Sequence, residues 1–451
     1  MSIQENALAR KFTTFSILRF ALPTIIMMVF MGLYQVVDAM FISNYVDTDG
    51  LSAINIVTPV ISFFYGLGTM FATGGSAIIA KKMGEKKDLE AKQNFTALVL
   101  IAVAIGIAVA LFNTIFMDNL IFALGGSEQI LPYAREYFRI LMLFAPALLL
   151  QILFQNFFVT AAKPNLGLWL MVCAGVANIV LDYIFMVLLH MGMAGAAIAT
   201  GIGYSIAAIA GIVVFSEPKG TLHFVKPLIT LKEWGQSCYN GSSEMVRELA
   251  QGITSLIFNI TMMRLAGEHG VAALAVLIYT GYLFVGVIVG FSMGVSPVLS
   301  YQYGAQNKGE LRRLLKLCLF WVSFISVLLF IVCQVSAGVM TGFFVPRDSE
   351  VYGLAVGGFQ IYAFVNLFNG IGMFTSALFT ALSNGKISAI LSFVRTFALL
   401  AVFLLAFPTI WGITGAWLAP PTAEFIASIL AIALLVKYRH KYFSNGLTTE
   451  K

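Results

Sequence analysis

The sequence predicts an all-α polytopic membrane protein: twelve transmembrane helices in two six-helix bundles related by a pseudo-twofold axis along the membrane normal. Three observations carry that expectation. Of the 451 residues, 59% are hydrophobic and 11% charged, against about 25% charged in a soluble domain, and the mean hydropathy is +0.90. A soluble chain of this length has too little interior to hide so much apolar surface, which excludes a soluble enzyme, a nucleic-acid binder and a disordered chain. Apolar runs long enough to cross a ~30 Å hydrocarbon core recur twelve times, and the chain repeats itself at an offset of 220 residues.

In chain order the runs are 17–43, 51–80, 94–117, 137–160, 167–189, 194–215, 242–264, 271–299, 317–341, 353–381, 388–408 and 413–436. The first is too long for a signal-peptide core and no small-residue cleavage pattern follows it, so it reads as a span. An even number returns both chain ends to one side. Of the 27 Lys and Arg, 21 fall on that side, among them Arg10, Lys11, Lys81, Lys82, Lys86, Lys87, Lys219, Arg312, Arg313, Lys437 and Lys451. Four (Arg135, Arg139, Arg264, Arg347) fall on the other side, and Arg247 and Arg395 lie within spans. Basic residues collect in cytoplasmic loops, so both termini are expected in the cytoplasm. The net charge of +6 then marks a membrane face, not a polyanion partner. Cys173, Cys238, Cys318 and Cys333 form no CxxC pair and have no His at metal-ligand spacing. Cys318 and Cys333 stand about 22 Å apart on one helix, beyond disulfide reach. All four are expected as free thiols.

Residues 50–90 align with 270–310 without a gap, with 9 identities in 41 positions, including Gly66/Gly286, Gly74/Gly294, Ser76/Ser296 and Gly84/Gly304. MGMAGAAIA (191–199) matches WGITGAWLA (411–419) in the same register. The expected units are 1–220 and 236–451, joined by a cytoplasmic linker 221–235. Six spans per unit give both the same orientation, and parallel repeats with a substrate site between them are a plan of secondary transporters. Persistent glycines suit close helix contacts in lipid. Prolines inside or beside spans (Pro23, Pro59, Pro146, Pro297, Pro408, Pro420, Pro421) permit kinks, and Pro23 is singled out because its helix carries an acid.

Ionisable groups within a membrane are costly and default to function. Asp38 in span 1, Asp182 in span 5 and Thr200 in span 6 all fall about 8–10 Å below the outer surface. Asn178 lies one turn before Asp182, and Tyr34 one turn before Asp38, so each shares a helix face with its acid. Two carboxylates, an amide and a hydroxyl at one depth can take up a proton or coordinate Na⁺ through oxygens. The second unit does not duplicate them: Asp38 maps to Phe258 and Asp182 to Val402. It carries Arg395 in span 11 and Glu424 in span 12, read first as an ion pair and second as a substrate or gating element. Glu244, Arg247 and Glu248 crowd the inner end of span 7, read first as a solvated helix end and second as a gate. Gln35 and Asn259 are further polar candidates for cavity or gate.

At this point the chain resembles the multidrug and toxic compound extrusion (MATE) family, in its MepA/DinF-like bacterial branch. The residues that carry the likeness are P-x14-D (Pro23, Asp38), N-x3-D (Asn178, Asp182), G-x2-G-A in spans 6 and 12, and SFVRTFALLAVF with WGITGAWLAPPTAE. The resemblance implies two six-helix lobes in a bacterial plasma membrane. It implies a monomeric carrier without cofactor that exports amphipathic, often cationic organic molecules in exchange for inward H⁺ or Na⁺. It assigns Asp38, Asn178, Asp182 and Thr200 to the cation site and Pro23 to a bend in span 1. Where a Na⁺-coupled branch carries an acid deep in span 7, this chain has Gln251 and Gly252, so no second cation site of that type is expected.

Three other readings rank lower. A lipid-linked oligosaccharide flippase of the same superfamily needs a cationic central cavity, and only Arg247 and Arg395 lie within spans. A major-facilitator carrier has a DR-x-G-RR loop after span 2, where this chain reads KKMGEKKDLEAK. A membrane-embedded enzyme finds no HExxH, no GxSxG and no coplanar His–acid set.

Overall fold

The computed structural model describes residues 7–46, 48–218 and 220–443, and no strand occurs among them. Lys219 and Lys451 of the basic tally lie outside the described residues. In hydrocarbon, backbone polar groups must be satisfied within their own segment, so apolar sequence folds as helix. The elements are α1 (Thr14–Tyr45), α2 (Thr48–Gly84), α3 (Asp88–Ala123), α4 (Leu131–Leu143), α5 (Ala145–Thr160), α6 (Pro164–Asp182), α7 (Gly192–Ser216), α8 (Leu231–Gly304), α9 (Lys308–Phe344), α10 (Glu350–Tyr362), α11 (Val365–Ala381), α12 (Gly385–Phe393) and α13 (Leu400–Phe443). A π-helical segment, Tyr183–Leu188, continues α6, and a second, Val394–Leu399, joins α12 to α13.

These elements make twelve spans. α4 and α5 are one span bent by 53°, and α10 and α11 one span bent by 50°. α8 and α13 are each interrupted, at Gly267 (φ +57°, ψ −145°) and Gly412 (φ +56°, ψ −133°). That backbone conformation is open essentially to glycine alone. α8 thereby becomes two limbs, 231–265 and 268–304. The predicted span 5 is α6 with its π segment, and span 11 is α12, its π segment and the first limb of α13. α1 runs unbroken through Pro23.

The sequence repeat reappears in the backbone. Left-handed residues follow corresponding helix ends: Lys86 (φ +61°) after α2 and Gln306 (φ +55°) after α8, then Ala162 (φ +58°) after α5 and Ser383 (φ +57°) after α11. Gly192 (φ +52°) and Gly412 (φ +56°) precede the last span of each half.

The two bundles meet along a seam of glycines. A Cβ on Gly74 would lie 2.0 Å from the Ser237 carbonyl oxygen, and one on Gly241 would lie 1.9 Å from that of Met70. Gly84 and Gly304 are reciprocal, each 2.0 Å by the same measure from the carbonyl oxygen of Tyr301 and Lys81 respectively. The second limb of α8 meets α1 alike, with Gly290 against Ile25 and Gly294 against Ala21. A 220-residue shift carries Gly66, which packs on Glu248, onto Gly286, which packs on Met28, so the seam obeys the repeat. Small residues that let backbones approach are what hold helices together in lipid. Gly32, against Tyr282, is still about 20 Å short of the far ends of both helices. The seam therefore occupies the part of the molecule nearer the chain termini. Outward-facing side chains such as Ile115, Val335 and Phe343 are exposed, as a lipid-facing surface requires.

At the terminal face Lys82 of α2 pairs with Glu90 of α3 (3.1 Å) and with Glu233 in the first turn of α8. Glu233 also closes a capping box with Thr230. Partial burial disfavours its charge, but Lys82 and Thr230 prevail and hold the carboxyl down at about 2, against the usual 4.5.

Two outcomes are expected. Gly241→Ala drives a Cβ into the Met70 carbonyl and should cost about 1–3 kcal/mol, read as a lower melting temperature in detergent. Gly353→Ala, whose added Cβ meets nothing within 4 Å, should be neutral or slightly stabilising; equal melting of the two variants would count against the seam. For Glu233 the folded pKa is depressed, so its contribution is full above the unfolded value near 4.5 and is lost as pH falls through about 2. The stability gap between wild type and Glu233→Gln should therefore close across that window. A gap that does not change with pH would show that the carboxylate is not the stabilising species.

Candidate functional site

Asp182 is the last residue of α6 and is fully buried, immediately before the π segment. A π turn widens the helix and re-aims the side chains around it, and such turns are frequent at functional sites. Asn178 lies one turn earlier, and Gly203 of α7 lets that helix approach to within 3.3 Å of the Asn178 Cβ, measured from a built Cβ. Thr200 is one turn from Gly203. Asp38 reaches the same place from α1: its carboxyl and that of Asp182 sit within hydrogen-bonding reach of each other. Tyr34, Tyr137 and Tyr204 stand near Asp38, and Tyr34 and Tyr204 wall the same small space as Asn178 and Thr200.

Beside the acids is a small cavity of about 20 Å³ walled by Tyr34, Gln151, Asn178, Thr200 and Tyr204, among others. A single water needs about 10–15 Å³, so the space suits one water or one small ion. Asp38 Oδ1, both carboxylate oxygens of Asp182, both amide atoms of Asn178 and Gln151 Oε1 are buried without a hydrogen-bond partner among the described residues. Buried polar atoms are normally paired, because desolvating one without compensation costs several kcal/mol. Neither acid lines the small cavity, and one proton shared between Asp38 and Asp182 would pair two of these oxygens. The Asn178 amide nitrogen, a donor, needs an acceptor such as a water in the adjoining space.

A second cavity, of about 130 Å³, lies between the bundles and is lined from α1, α2, α5, α8, α11, α12 and the second π segment. Its walls on α2 and on the second limb of α8 stand at the depth of the seam glycines Gly66, Gly74, Gly290 and Gly294, and the Gly84 and Gly304 contacts lie beyond them toward the terminal face. Hydroxyls of Thr69, Ser292 and Ser376 and the thioethers of Met28, Met293 and Met373 share its wall with Glu244, Arg247 and Arg395. Arg247 donates from Nε to Glu244 (2.9 Å) and from Nη2 to Glu248 (2.6 Å). Arg395 donates from Nη1 to Glu424 (2.7 Å). Each arginine is thus matched by carboxylate, and the lining has no surplus positive charge for a pyrophosphate.

The polar candidates read from the sequence separate as follows. Asp38, Asn178, Asp182, Thr200 and Tyr34 are brought together in the first bundle. Glu244 and Arg395 stand on the central cavity, with Glu248 and Glu424 as their neighbours' ion partners. The reading of Glu244, Arg247 and Glu248 as a solvated helix end does not hold: their side chains are about four-fifths covered, because α2 packs against this part of α8. Gln35 is exposed, Asn259 donates to the Ser255 carbonyl of its own helix (3.0 Å), and neither lines either of these two cavities; nor does Pro23. Sequence reasoning missed Tyr137, Gln151 and Tyr204. It also missed a buried ladder of hydroxyls in which Ser376 meets Ser392 (2.8 Å) and Ser388 (2.9 Å), and Ser388 meets Thr380 (2.8 Å).

Comparison with known proteins spans nearly the whole chain. The MatE family pattern matches residues 23–184 and again 245–406, one copy in each half. The chain is 24% identical over 438 residues to the multidrug export protein MepA of Staphylococcus haemolyticus (strain JCSC1435), covering 97% of this chain and 95% of that one. It is 23% identical over 428 residues to the multidrug export protein MepA of Staphylococcus aureus (strain MSSA476), covering 94% of each. Among solved structures, the outward-facing conformation of a multidrug resistance MATE family transporter of the MOP superfamily has the same fold, with a TM-score of 0.90 at 20% identity over 98% of this chain and 99% of that one.

The Arg395–Glu424 geometry sets a stability test. Arg395→Met alone leaves Glu424 buried and unpaired and should cost about 3–5 kcal/mol, whereas Arg395→Met with Glu424→Leu should recover most of that loss. Thermal unfolding of the purified variants reads both; a double variant no more stable than the single would refute the pairing.

Proposed function

The chain belongs to the MatE family, and on that premise we propose that it is a secondary antiporter exporting amphipathic, often cationic organic compounds in exchange for inward H⁺ or Na⁺. The observation that carries the reading is the pair Asp38 and Asp182, two carboxyls within reach of each other at one depth of the first bundle, with Asp38 Oδ1 and both Asp182 oxygens buried. It is supported by the adjacent space for one small cation and by a larger, separate cavity between the bundles. In this reading the protein works without a cofactor, as a monomer in a bacterial plasma membrane. Its termini, the Lys82–Glu233 clasp and the glycine seam face the cytoplasm.

With the acids ionised, the first bundle carries negative charge beside the central cavity and favours a cationic guest there. Arrival of a proton or Na⁺ between Asp38 and Asp182 removes that charge and repacks α1, on which both Asp38 and the cavity residue Met28 ride. The guest is then released outward, and the seam must part before the next one enters from the cytoplasm. The driving force suffices. One H⁺ entering down 100 mV and one pH unit releases about 2.3 kcal/mol from voltage and about 1.4 from pH. That sustains a several-hundred-fold gradient of a neutral substrate. For a monovalent cation exchanged one for one the voltage contribution cancels, leaving about tenfold, so steep export of cations needs two ions per cycle.

Ethidium efflux from everted vesicles, driven separately by a pH jump and by a Na⁺ jump, tests the reading and identifies the ion. Asp38→Asn and Asp182→Asn should each lower the driven rate at least about tenfold, since a shift of one pKa unit in an essential group is already about 1.4 kcal/mol. Wild-type rates in Asp38→Asn under both gradients would end it.

A further inference from the structure

Among the described residues the chain passes from the first bundle to the second once, between α7 and α8, and that connection is fastened down along most of its length. The Thr221 hydroxyl donates to the Ala161 carbonyl (3.2 Å), and the Phe224 amide donates to the Phe215 carbonyl (2.9 Å). Leu222 is buried. The Phe224 ring stacks on Phe95 of α3 at 5.4 Å and meets Phe215 of α7 edge-on. The Val225 amide donates to the Thr96 hydroxyl (3.1 Å). The buried Asn94 side chain, with its amide turned to suit, donates to the Leu228 carbonyl and accepts from the Lys82 ammonium, each at 3.0 Å. All these partners belong to the first bundle.

Attachment to the second bundle begins almost at once. The Thr230 amide (2.9 Å) and hydroxyl (3.0 Å) donate to Glu233 in the first turn of α8. Only Ile229 separates the last residue held by one bundle from the first held by the other. Two residues span at most ~7 Å, so Leu228 and Thr230 stay that close while both attachments last. Lys82 crosses the same corner, meeting Glu90 and Asn94 of its own bundle and Glu233 of the other. The opposite corner has no such tether among the described residues. A 220-residue shift carries Gly74 and Gly241, which meet on the linker side, onto Gly294 and Ala21, where the second limb of α8 meets α1. The pseudo-twofold axis therefore sets these two contacts on opposite sides of the seam. At the second, the bundles are joined by packing and by hydrogen bonds from Gln302 to the Leu8 carbonyl (3.2 Å) and from Trp321 to the Thr14 carbonyl (2.7 Å).

We infer that the linker is a strap and its end at Ile229 a pivot: when the seam parts toward the cytoplasm, the bundles turn about the Lys82–Glu233 corner and open where α1 meets the second limb of α8. The inference rests on the transport reading above and adds which side of the seam admits the guest. A uniform separation of the bundles would have to pull Thr96 and Asn94 off the strap and strip Phe224 from its aromatic neighbours. Opening at α1 breaks only glycine contacts and a few hydrogen bonds. α1 is also the helix that carries Asp38, so the acid pair and the opening edge share one element.

The test places pairs of nitroxide labels on the full chain in nanodiscs, in a cysteine-free background that still drives ethidium efflux from vesicles. Lys87→Cys with Lys232→Cys spans the linker corner, and Arg19→Cys with Arg312→Cys spans the α1 side; all four side chains are exposed. Double electron–electron resonance is read with and without ethidium, at high and low concentration of the driving ion. The pair at 19 and 312 should lengthen by at least ~10 Å, about the width of a helix. The pair at 87 and 232 should change by less than the ~7 Å that the strap spans. Inserting Gly-Ser-Gly-Ser-Gly-Ser after Leu228 leaves every fastening in place and should free the linker pair to lengthen as the other does. Equal lengthening at both corners without the insertion, no change at either, or a linker pair that stays fixed despite the insertion overturns the inference. Any of these in a chain that transports sinks the pivot alone, whereas absence of ion-driven efflux in wild type would sink the transport reading itself.

Discussion

The arrangement of this molecule depends on backbone meeting backbone at glycine. Between helices immersed in lipid there is no hydrophobic drive to associate, so contact must come from close packing. At Gly74, Gly241, Gly84 and Gly304 the helices approach so nearly that a methyl group would overlap a carbonyl oxygen. This draws the two bundles together at the end that carries the chain termini. Between the seam contacts a cavity is left, walled on α2 and α8 by residues that alternate with the seam glycines, from Tyr65 to Ser76 and from Val289 to Ser296. The bulky side chains that could have filled that volume, Met28, Met293 and Met373, become its lining instead.

The two halves share one plan and have unlike interiors. In the first, two acids stand beside a small pocket walled by Asn178 and Thr200 among others, and six polar atoms there are buried without a hydrogen-bond partner among the described residues. In the second, Arg395 pairs with Glu424, and Arg395 alone of the two fronts the larger space between the bundles. Both are adjoined by π-helical turns, which place one extra residue per turn and so aim a side chain that a regular helix would have directed elsewhere.

Much of this was legible in the sequence because lipid imposes simple rules. Span length, the basic bias and the 220-residue repeat follow from the bilayer thickness, its charge asymmetry and the need for a second half. Asp38, Asn178 and Asp182 stood out because charge and amide are rare at that depth. Tyr137 and Tyr204 did not, since one aromatic among 39 Phe and 16 Tyr carries no signal of its own. The π segments were equally invisible: no residue type marks them, and they arise from tertiary packing. Glu244 and Glu248 were misjudged because distance along a helix says nothing about which neighbour covers it. Here α2 covers them, through the small surface of Gly66.

A seam that maps onto itself under the repeat has a further implication. Reciprocal contacts such as Gly84 with Tyr301 and Gly304 with Lys81 are isologous, the kind two identical subunits make about a twofold axis. A single six-span chain inserted with a copy of itself in the same orientation would bury the same glycines. Such a dimer would be obliged to place identical side chains in both partners. Joining the two into one polypeptide lifts that obligation: one half is free to keep Asp38 where the other has Phe258, and to place Glu248 where its twin has Met28. The covalent link, on this view, is what allows two halves alike in backbone to differ in side chain at matched positions.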